Sequence, residues 1–384
     1  MKQHFSRWSD RLIFIEDSRL QAAIWRIGCW LPLSLSVFTT GLLIRLLTQR
    51  KQLEVARRLI DKFCIDVVHL TMPVSPLEPT LLRNLGAPLV IGPLNGGMRY
   101  PIGFAHRQAR WVTSLLSAGR SAATLFNRVF PGKLQSSLLI AANDRTQRVL
   151  DRAFPGMQNR IRQLPENGVD LDFWRDTSRD RPVVDSSHLR PVRLVFVGRL
   201  VDWKGVDLLL RAFASACQRC RVPLSLSIAG DGPMRQQWEQ LARDLEIIAS
   251  VPNEPWRVFF HGWLQPEACA QLMRQAEVFV LPSLLECGGA VVLEAMASGL
   301  PVIATDWGGP SDYLDETCGV LLPVSSEHEL LDAMTSAIVG LACDRSLRDE
   351  MGHAGRKKAS SHYSWRAKAS QMIDIYRIVL KDHG

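Results

Sequence analysis

No acidic side chain occurs between Asp17 and Glu54, and none between Glu78 and Asp144, in a chain that holds 38 of them. The first gap contains Arg19, Arg26, Arg45, Arg50 and Lys51; the second contains Arg83, Arg99, Arg107, Arg110, Arg120, Arg128 and Lys133. These cations lack local counter-charges, and such patches attract polyanions: nucleic acid, anionic lipid headgroups or phosphate-bearing substrates. No nucleic-acid-binding motif or aromatic stacking platform accompanies the charge, so no nucleic acid is expected as a partner. A disulfide framework is also missing. The eight cysteines are scattered, and Cys217-x-x-Cys220 has no second pair to complete a zinc site, which favours reduced thiols in the cytosol. Long apolar runs are scarce. Ile27 to Ile44 is free of charge for eighteen residues, the lower edge for a membrane span, but Pro32, Ser34, Ser36, Thr39, Thr40 and Gly41 dilute it. It starts too late and lacks the cleavage pattern for a signal peptide. A span, an interfacial helix and a buried helix all remain open for it.

The length of 384 residues suits two domains, each with its own core. The net charge of +8 is unevenly divided: residues 1–170 hold 23 Lys+Arg against 11 Asp+Glu, and the remainder 23 against 27. The first half is therefore +12 and the second −4.

Along the chain, Leu12 to Ile15 is a weak strand candidate. Leu53 to Phe63 reads as an amphipathic helix, followed by a strand over Ile65 to Leu70. A helix over Pro79 to Leu85 leads to a strand over Pro88 to Ile91 and the turn Gly92-Pro93-Leu94-Asn95-Gly96-Gly97. Ile102 to Phe130 reads as a basic amphipathic helix, open to two readings: an interfacial helix or a lid with a solvated arginine face. Ser137 to Ala142 is a strand, and Asn143-Asp144 caps the helix after it. Gln163 to Asp170 marks a crossover between domains, and residues 175–191 read as an exposed connection. Arg193 to Val197 is a strand ending in Gly198-Arg199, then Lys204-Gly205 and a helix over Val206 to Ala216. Leu224 to Ala229 is the next strand, with Gly230-Asp231-Gly232 as its turn. Alternating strands and helices of this kind form doubly wound parallel sheets. His261 reads as structural.

The chemistry concentrates in LPSLLECGGAVVLEAMASGLPVIAT, residues 281–305. A strand over Val278 to Leu281, a glycine turn, a helix over Val291 to Ala297 and a strand from Val302 form a β-α-β unit. Ligands of open parallel sheets sit beyond the carboxyl ends of the strands. There the amides of Cys287, Gly288 and Gly289 are open to anionic oxygens. Glu286 lies on the turn and Glu294 on the helix, and two readings are open for them: carboxylates that accept hydrogen bonds from sugar hydroxyls, or a solvated turn residue and a surface helix glutamate. Arg199 and Lys204, at a strand end and a helix start, suit a diphosphate, the alternative being surface salt bridges.

Glu286, seven residues and Glu294, within PSLLECGGAVVLEAMASGLPVIAT, resemble the signature of the family 4 (group 1) retaining glycosyltransferases. The resemblance implies the GT-B fold, two Rossmann-like domains facing across a cleft: an acceptor domain over 1–168, a donor domain over 169–360, and a final helix within 361–384 returning to the first domain. It implies that Glu286 contacts the donor sugar, that Glu294 holds the ribose, and that Arg199 and Lys204 neutralise the departing diphosphate, with Gly198, Gly230, Asp231, Gly232, Cys287, Gly288, Gly289 and Ala290 around the donor. The turn GPLNGG is similar to one in a subgroup of the family, placing His69, Asn95, Gly96 and Gly97 on the acceptor side. Two departures stand out. Pro93, Leu94 and Asn95 occupy the neighbourhood where many members have a histidine, and no strand with a Gly-rich loop precedes residue 60. Asp170-Leu171-Asp172 spells a metal motif of other glycosyltransferases, but in a linker, so no metal is expected. No cofactor is implied beyond a UDP- or GDP-linked donor.

The reading is a metal-independent, retaining transferase that moves a sugar to a glycan or polyprenyl-phosphate-linked acceptor, in exopolysaccharide or lipopolysaccharide synthesis. Its expected place is the cytoplasm, peripheral on the inner face of the cell membrane. A phosphorylase or epimerase of the same architecture and an inactive membrane scaffold are the rivals.

Overall fold

The computed structural model describes residues 11–32, 35–36, 39–72, 74–108, 126–174 and 190–383. They divide into two compact units. One comprises Met1–Leu94, Trp111–Gln163 and Ile375–Gly384; the other comprises Asn95–Arg110 and Leu164–Asp374. The expected exposed connection at 175–191 falls, but for its last two residues, outside the described residues.

The first unit contains a parallel sheet of β1 (Val68–Leu70), β2 (Leu89–Leu94), β3 (Leu138–Ala141) and β4 (Ile161–Gln163), in that order. Strand β3 is apolar along its whole length and wholly buried, as a strand covered on both faces must be. Helices α1 (Arg19–Gly28), α2 (Thr40–Phe63) and α3 (Asp144–Ala153) belong to this unit. Ser18 and Gln21 close α1 with a reciprocal capping box. Asn143 caps α3 by accepting from the Thr146 amide at 2.9 Å.

Several expectations for this unit change. Leu12 to Ile15 is not a strand but an irregular segment with Leu12, Ile13 and Phe14 exposed. Helix α2 starts at Thr40, thirteen residues before the expected start, and β1 begins only at Val68. The charge-free run is divided between the end of α1 and the start of α2, and among the described residues no helix is long and apolar enough to cross a membrane. Pro79 to Leu85 is not helical. Its amides are taken by side chains instead: Leu81 donates to Gln49 Oε1 at 2.8 Å and Leu82 to Thr80 Oγ1 at 3.3 Å. Side-chain acceptors that satisfy a short segment's backbone remove its reason to coil. Of the helix expected over Ile102 to Phe130, the structure describes a 3-10 segment, Ile102–Arg107, and one helical turn at 126–129. Residues 109–125 lie outside the described residues.

The second unit holds six parallel strands in the order β10 (Gly319–Leu322), β9 (Val302–Thr305), β8 (Val278–Leu281), β5 (Val192–Val197), β6 (Leu224–Ala229), β7 (Arg257–Gly262). Its helices are α4 (Val206–Arg219), α5 (Arg235–Asp244), α6 (Pro266–Gln275), α7 (Ala290–Ala297), α8 (Gly309–Tyr313), α9 (Glu327–Cys343), α10 (Arg345–Lys358) and α11 (Trp365–Lys381). Its core runs through the sheet, from Phe196 and Val195 on β5 to Phe213 on α4 and Leu293 on α7. The strand order reverses between β8 and β5, which is where an open parallel sheet opens a crevice beyond its carboxyl ends. Helix α11 is shared by the units, its residues from Ile375 belonging with the first.

Candidate active site

The two strands that flank the reversal, β5 and β8, each deliver a loop at their carboxyl ends. The β5 loop is Gly198-Arg199-Leu200, followed by the 3-10 turn Asp202–Lys204 and then α4. The β8 loop runs from Pro282 through Glu286 to Gly289, the cap of α7. Backbone contacts join them: the Leu284 amide donates to the Trp203 carbonyl at 2.8 Å. Across this junction the Lys204 ammonium donates to Glu286 Oε2, with the two side chains 15% and 14% exposed. A charge-assisted pair so little exposed is held in place more firmly than a surface pair, which water and salt would loosen.

The Glu286 backbone is fixed from another side, its carbonyl accepting from the Gly309 amide at 2.8 Å. The neighbouring Cys287 carbonyl accepts from Asn95 Nδ2 at 3.1 Å. Gly288 is pressed against the interdomain crossover: a Cβ there would meet Glu166 Oε1 at 2.2 Å and Asn167 Nδ2 at 2.3 Å. Helix α7 then starts at Ala290; the Val292 amide donates to the Gly289 carbonyl at 2.9 Å, and the two amides before it have no partner within the helix. Glu294 lies on α7. Among the described residues its carboxyl has no hydrogen-bond or ion-pair partner, and burial pushes its pKa up to about 7. Its charge also helps raise the Cys269 thiol on α6, after burial itself.

The β6 turn completes the arrangement. A Cβ on Gly230 would lie 1.9 Å from the Gly198 carbonyl oxygen, so only glycine lets these two turns meet. The Asp231 carboxylate is occupied by the Gly232 amide at 2.7 Å and by Arg235 at 3.3 Å. Arg199 is exposed, without an ion-pair or side-chain hydrogen-bond partner among the described residues.

Lys204, Glu286, Gly198, Gly230 and Gly289 therefore meet around one junction of strand ends, with Arg199 on the same turn as Gly198. The acceptor-side residues separate. Asn95, Gly96 and Gly97 belong to the second unit, where Asn95 touches the Glu286–Gly289 loop, whereas His69 belongs to the first. His69 Nε2 donates to the Gly92 carbonyl at 2.7 Å, and Nδ1 accepts from the Tyr376 hydroxyl at 2.7 Å. Burial lowers its pKa, outweighing the opposing effect of the Gly92 bond. His261 hydrogen-bonds Ser227 Oγ at 3.0 Å and packs edge-on against Phe259, in keeping with a structural role. Asp170 accepts from the Asp172 and Phe173 amides at 2.9 and 3.1 Å, so the D-x-D sequence closes a turn. Sequence reasoning overlooked Glu166 and Asn167 as neighbours of Gly288, and Arg107. The Glu166-Asn167-Gly168 run was visible, but its contact with Gly288 is made across more than a hundred residues.

Two parallel-sheet α/β units, the second with the strand-order reversal at which these loops meet, are the architecture of the GT-B glycosyltransferase class. Solved structures share the fold: a sucrose-phosphate synthase from Thermosynechococcus elongatus superposes with a TM-score of 0.60 at 21% identity, covering 90% of this chain and 79% of that one. Anabaena HepE, solved with UDP and glucose, gives 0.56 at 19% identity over 85% of this chain and 80% of that one. The profile of the family Glycosyl transferases group 1 matches residues 184–358. The GDP-mannose-dependent alpha-(1-6)-phosphatidylinositol monomannoside mannosyltransferase of Mycolicibacterium smegmatis is 33% identical over 336 residues, 83% of this chain and 78% of that protein. An alpha-maltose-1-phosphate synthase of Mycobacterium tuberculosis is 28% identical over 284 residues, 70% of each chain. The chain belongs to the group 1 glycosyltransferase family, whose members transfer a sugar from a nucleotide-sugar.

Proposed function

We propose that this chain is a retaining, metal-independent glycosyltransferase using a UDP- or GDP-linked sugar and a glycan or polyprenyl-phosphate-linked acceptor. The observation that carries the reading is the Lys204–Glu286 pair at the junction of β5 and β8. Lys204 and Arg199 stabilise the diphosphate as its bond to the sugar's anomeric carbon breaks, aided by the amides of Gly288, Gly289 and Ala290. Glu286 accepts from sugar hydroxyls, and the unpartnered Glu294 from the ribose. The acceptor oxygen bonds the anomeric carbon on the face the phosphate leaves, and its proton passes to the departing phosphate oxygen. No carboxylate is placed as a covalent nucleophile in this scheme, and side-chain cations do the work a metal would do.

The acceptor belongs with the basic first unit, peripheral on the inner face of the membrane, in polysaccharide or lipopolysaccharide assembly. Helix α1 supports this: Leu20 and Ile27 are 58% and 61% exposed on a stripe flanked by Arg19 and Arg26, and Trp30 just beyond is 90% exposed. An apolar stripe edged with arginines suits an anionic interface. The phosphatidylinositol-linked substrate named for the mycobacterial relative is of the same chemical kind.

The test is turnover with a panel of UDP- and GDP-sugars and lipid-phosphate acceptors. Transfer with retained anomeric configuration in the presence of a chelator is expected. A donor that binds and is neither hydrolysed nor transferred would point instead to a scaffold, and consumption of free phosphate to a phosphorylase.

A further inference from the structure

The segment from Asn95 to Arg107 follows β2 in the chain but packs in the second unit. Its start lies on the Glu286 loop: Asn95 Nδ2 holds the Cys287 carbonyl at 3.1 Å, and Met98 packs on Gly308. In the middle, the Arg99 carbonyl accepts from Trp307 Nε1 at 2.8 Å. Further on, Phe104 is fully buried in the second core. Gly103 lies so close to the backbone that a Cβ would fall 2.2 Å from the Ser325 carbonyl oxygen. At its end, Arg107 makes a two-point contact with Asp207, at 2.6 and 3.3 Å. It also reaches Asp202 at 3.6 Å and Glu327 at 3.9 Å.

Asp202 opens the turn that carries Lys204, and Asp207 lies in the first turn of α4, three residues beyond Lys204. In the chain Lys204 thus stands between two acidic residues, yet its ion-pair partner is Glu286. Arg107, 12% exposed, binds both bracketing acids with a planar fork that a lysine cannot reproduce. One strap therefore grips the loop of Glu286 at its start and the turn of Lys204 at its end.

We infer that the strap Asn95–Arg107 is a positioning element of the donor site, in which Arg107 neutralises Asp202 and Asp207 so that Lys204 is directed to Glu286 and the diphosphate, while Asn95 holds the opposite loop. This rests on the assignment of Lys204 and Glu286 to the donor diphosphate and sugar. Arg107 and Asn95 touch no reacting atom and act through Lys204 and the Cys287 backbone.

The experiment reads Lys204 directly. In the full chain without ligand, the acylation rate of Lys204 by an amine-reactive ester is followed by mass spectrometry. Arg107→Ala frees Asp202 and Asp207 to pair with the Lys204 ammonium in competition with Glu286, so acylation is expected to slow about threefold or more; adding Asp202→Asn and Asp207→Asn is expected to restore it. In calorimetry with UDP and with GDP, Arg107→Ala weakens the nucleotide that binds by about tenfold, and the triple variant recovers it. If Arg107→Ala fails to fold, Arg107→Lys, which keeps the charge without the fork, is expected to give intermediate values on both readouts. An unchanged acylation rate, or a loss that the two Asn substitutions do not recover, overturns the inference and leaves the strap a structural clasp. If the wild type binds neither UDP nor GDP while the acylation rates shift as stated, the donor-site reading falls and the positioning of Lys204 stands.

Discussion

Lys204 and Glu286 are 82 residues apart, yet each is the other's ion-pair partner at the ends of two adjacent strands. Removing either leaves the other little-exposed charge without its partner and, under the proposed function, takes one contact from the donor. Lys204→Ala and Glu286→Ala are each expected to lower the transfer rate by about 10²-fold or more, with the circular dichroism spectrum unchanged. Full activity in either variant would remove the site assignment. Glu294 makes a separate prediction. Its pKa is raised from 4.5 to about 7 by burial, so the folded chain binds this proton more tightly than the unfolded one. The resulting stabilisation is complete below about pH 4.5 and is lost as pH rises through 7. Glu294→Gln should therefore gain stability relative to the wild type between pH 4.5 and pH 8, by up to about 3 kcal/mol. Urea unfolding at both pH values checks this, and a pH-independent difference would show that burial does not govern the group.

Among the elements, those around the site were read from sequence to within three residues. Strand β8, helix α7 and strand β9 fall where the apolar run, the glycine pair and the Gly299/Pro301 stop place them. Buried parallel strands are apolar throughout, and glycines punctuate them, so local pattern suffices. Pro79 to Leu85 had helical pattern but gave up the Leu81 and Leu82 amides to Gln49 and Thr80, and Gln49 comes from 32 residues away. No local pattern carries that information. The turn contacts are similarly non-local. Gly230→Ala would place a methyl group on the Gly198 carbonyl in a backbone region hostile to side chains (φ +140°), and is expected to destabilise the second unit by about 2 kcal/mol or more. Denaturant unfolding of the full chain measures this; a loss below about 0.5 kcal/mol would show that the two turns separate freely.

For the whole molecule, charge is the property that divides most cleanly. Counted over the units the structure defines, the first holds 22 Lys+Arg against 10 Asp+Glu and the second 24 against 28, again +12 and −4. The redrawn boundaries leave the imbalance untouched. With Leu20, Ile27 and Trp30 exposed beside Arg19 and Arg26, the first unit should sediment with vesicles rich in anionic lipid and not with neutral ones. Binding should weaken between 0.05 and about 0.5 M salt, as the screening length shortens severalfold. Equal sedimentation with both vesicle types, or none, would remove the membrane from the proposal.

The order of residues alone determined most strands of the two sheets, their glycine turns, the acidic pair of residues 286 and 294, and the polarity of the two halves, since each depends on a pattern spanning at most a few dozen residues or on simple charge. The tertiary structure alone decided that Lys204 meets Glu286, that Glu166 and Asn167 abut Gly288, and that the strap ending in Arg107 belongs with the second unit. Those pairings join residues from 82 to more than 200 positions apart, and the packing of strand ends brings them together.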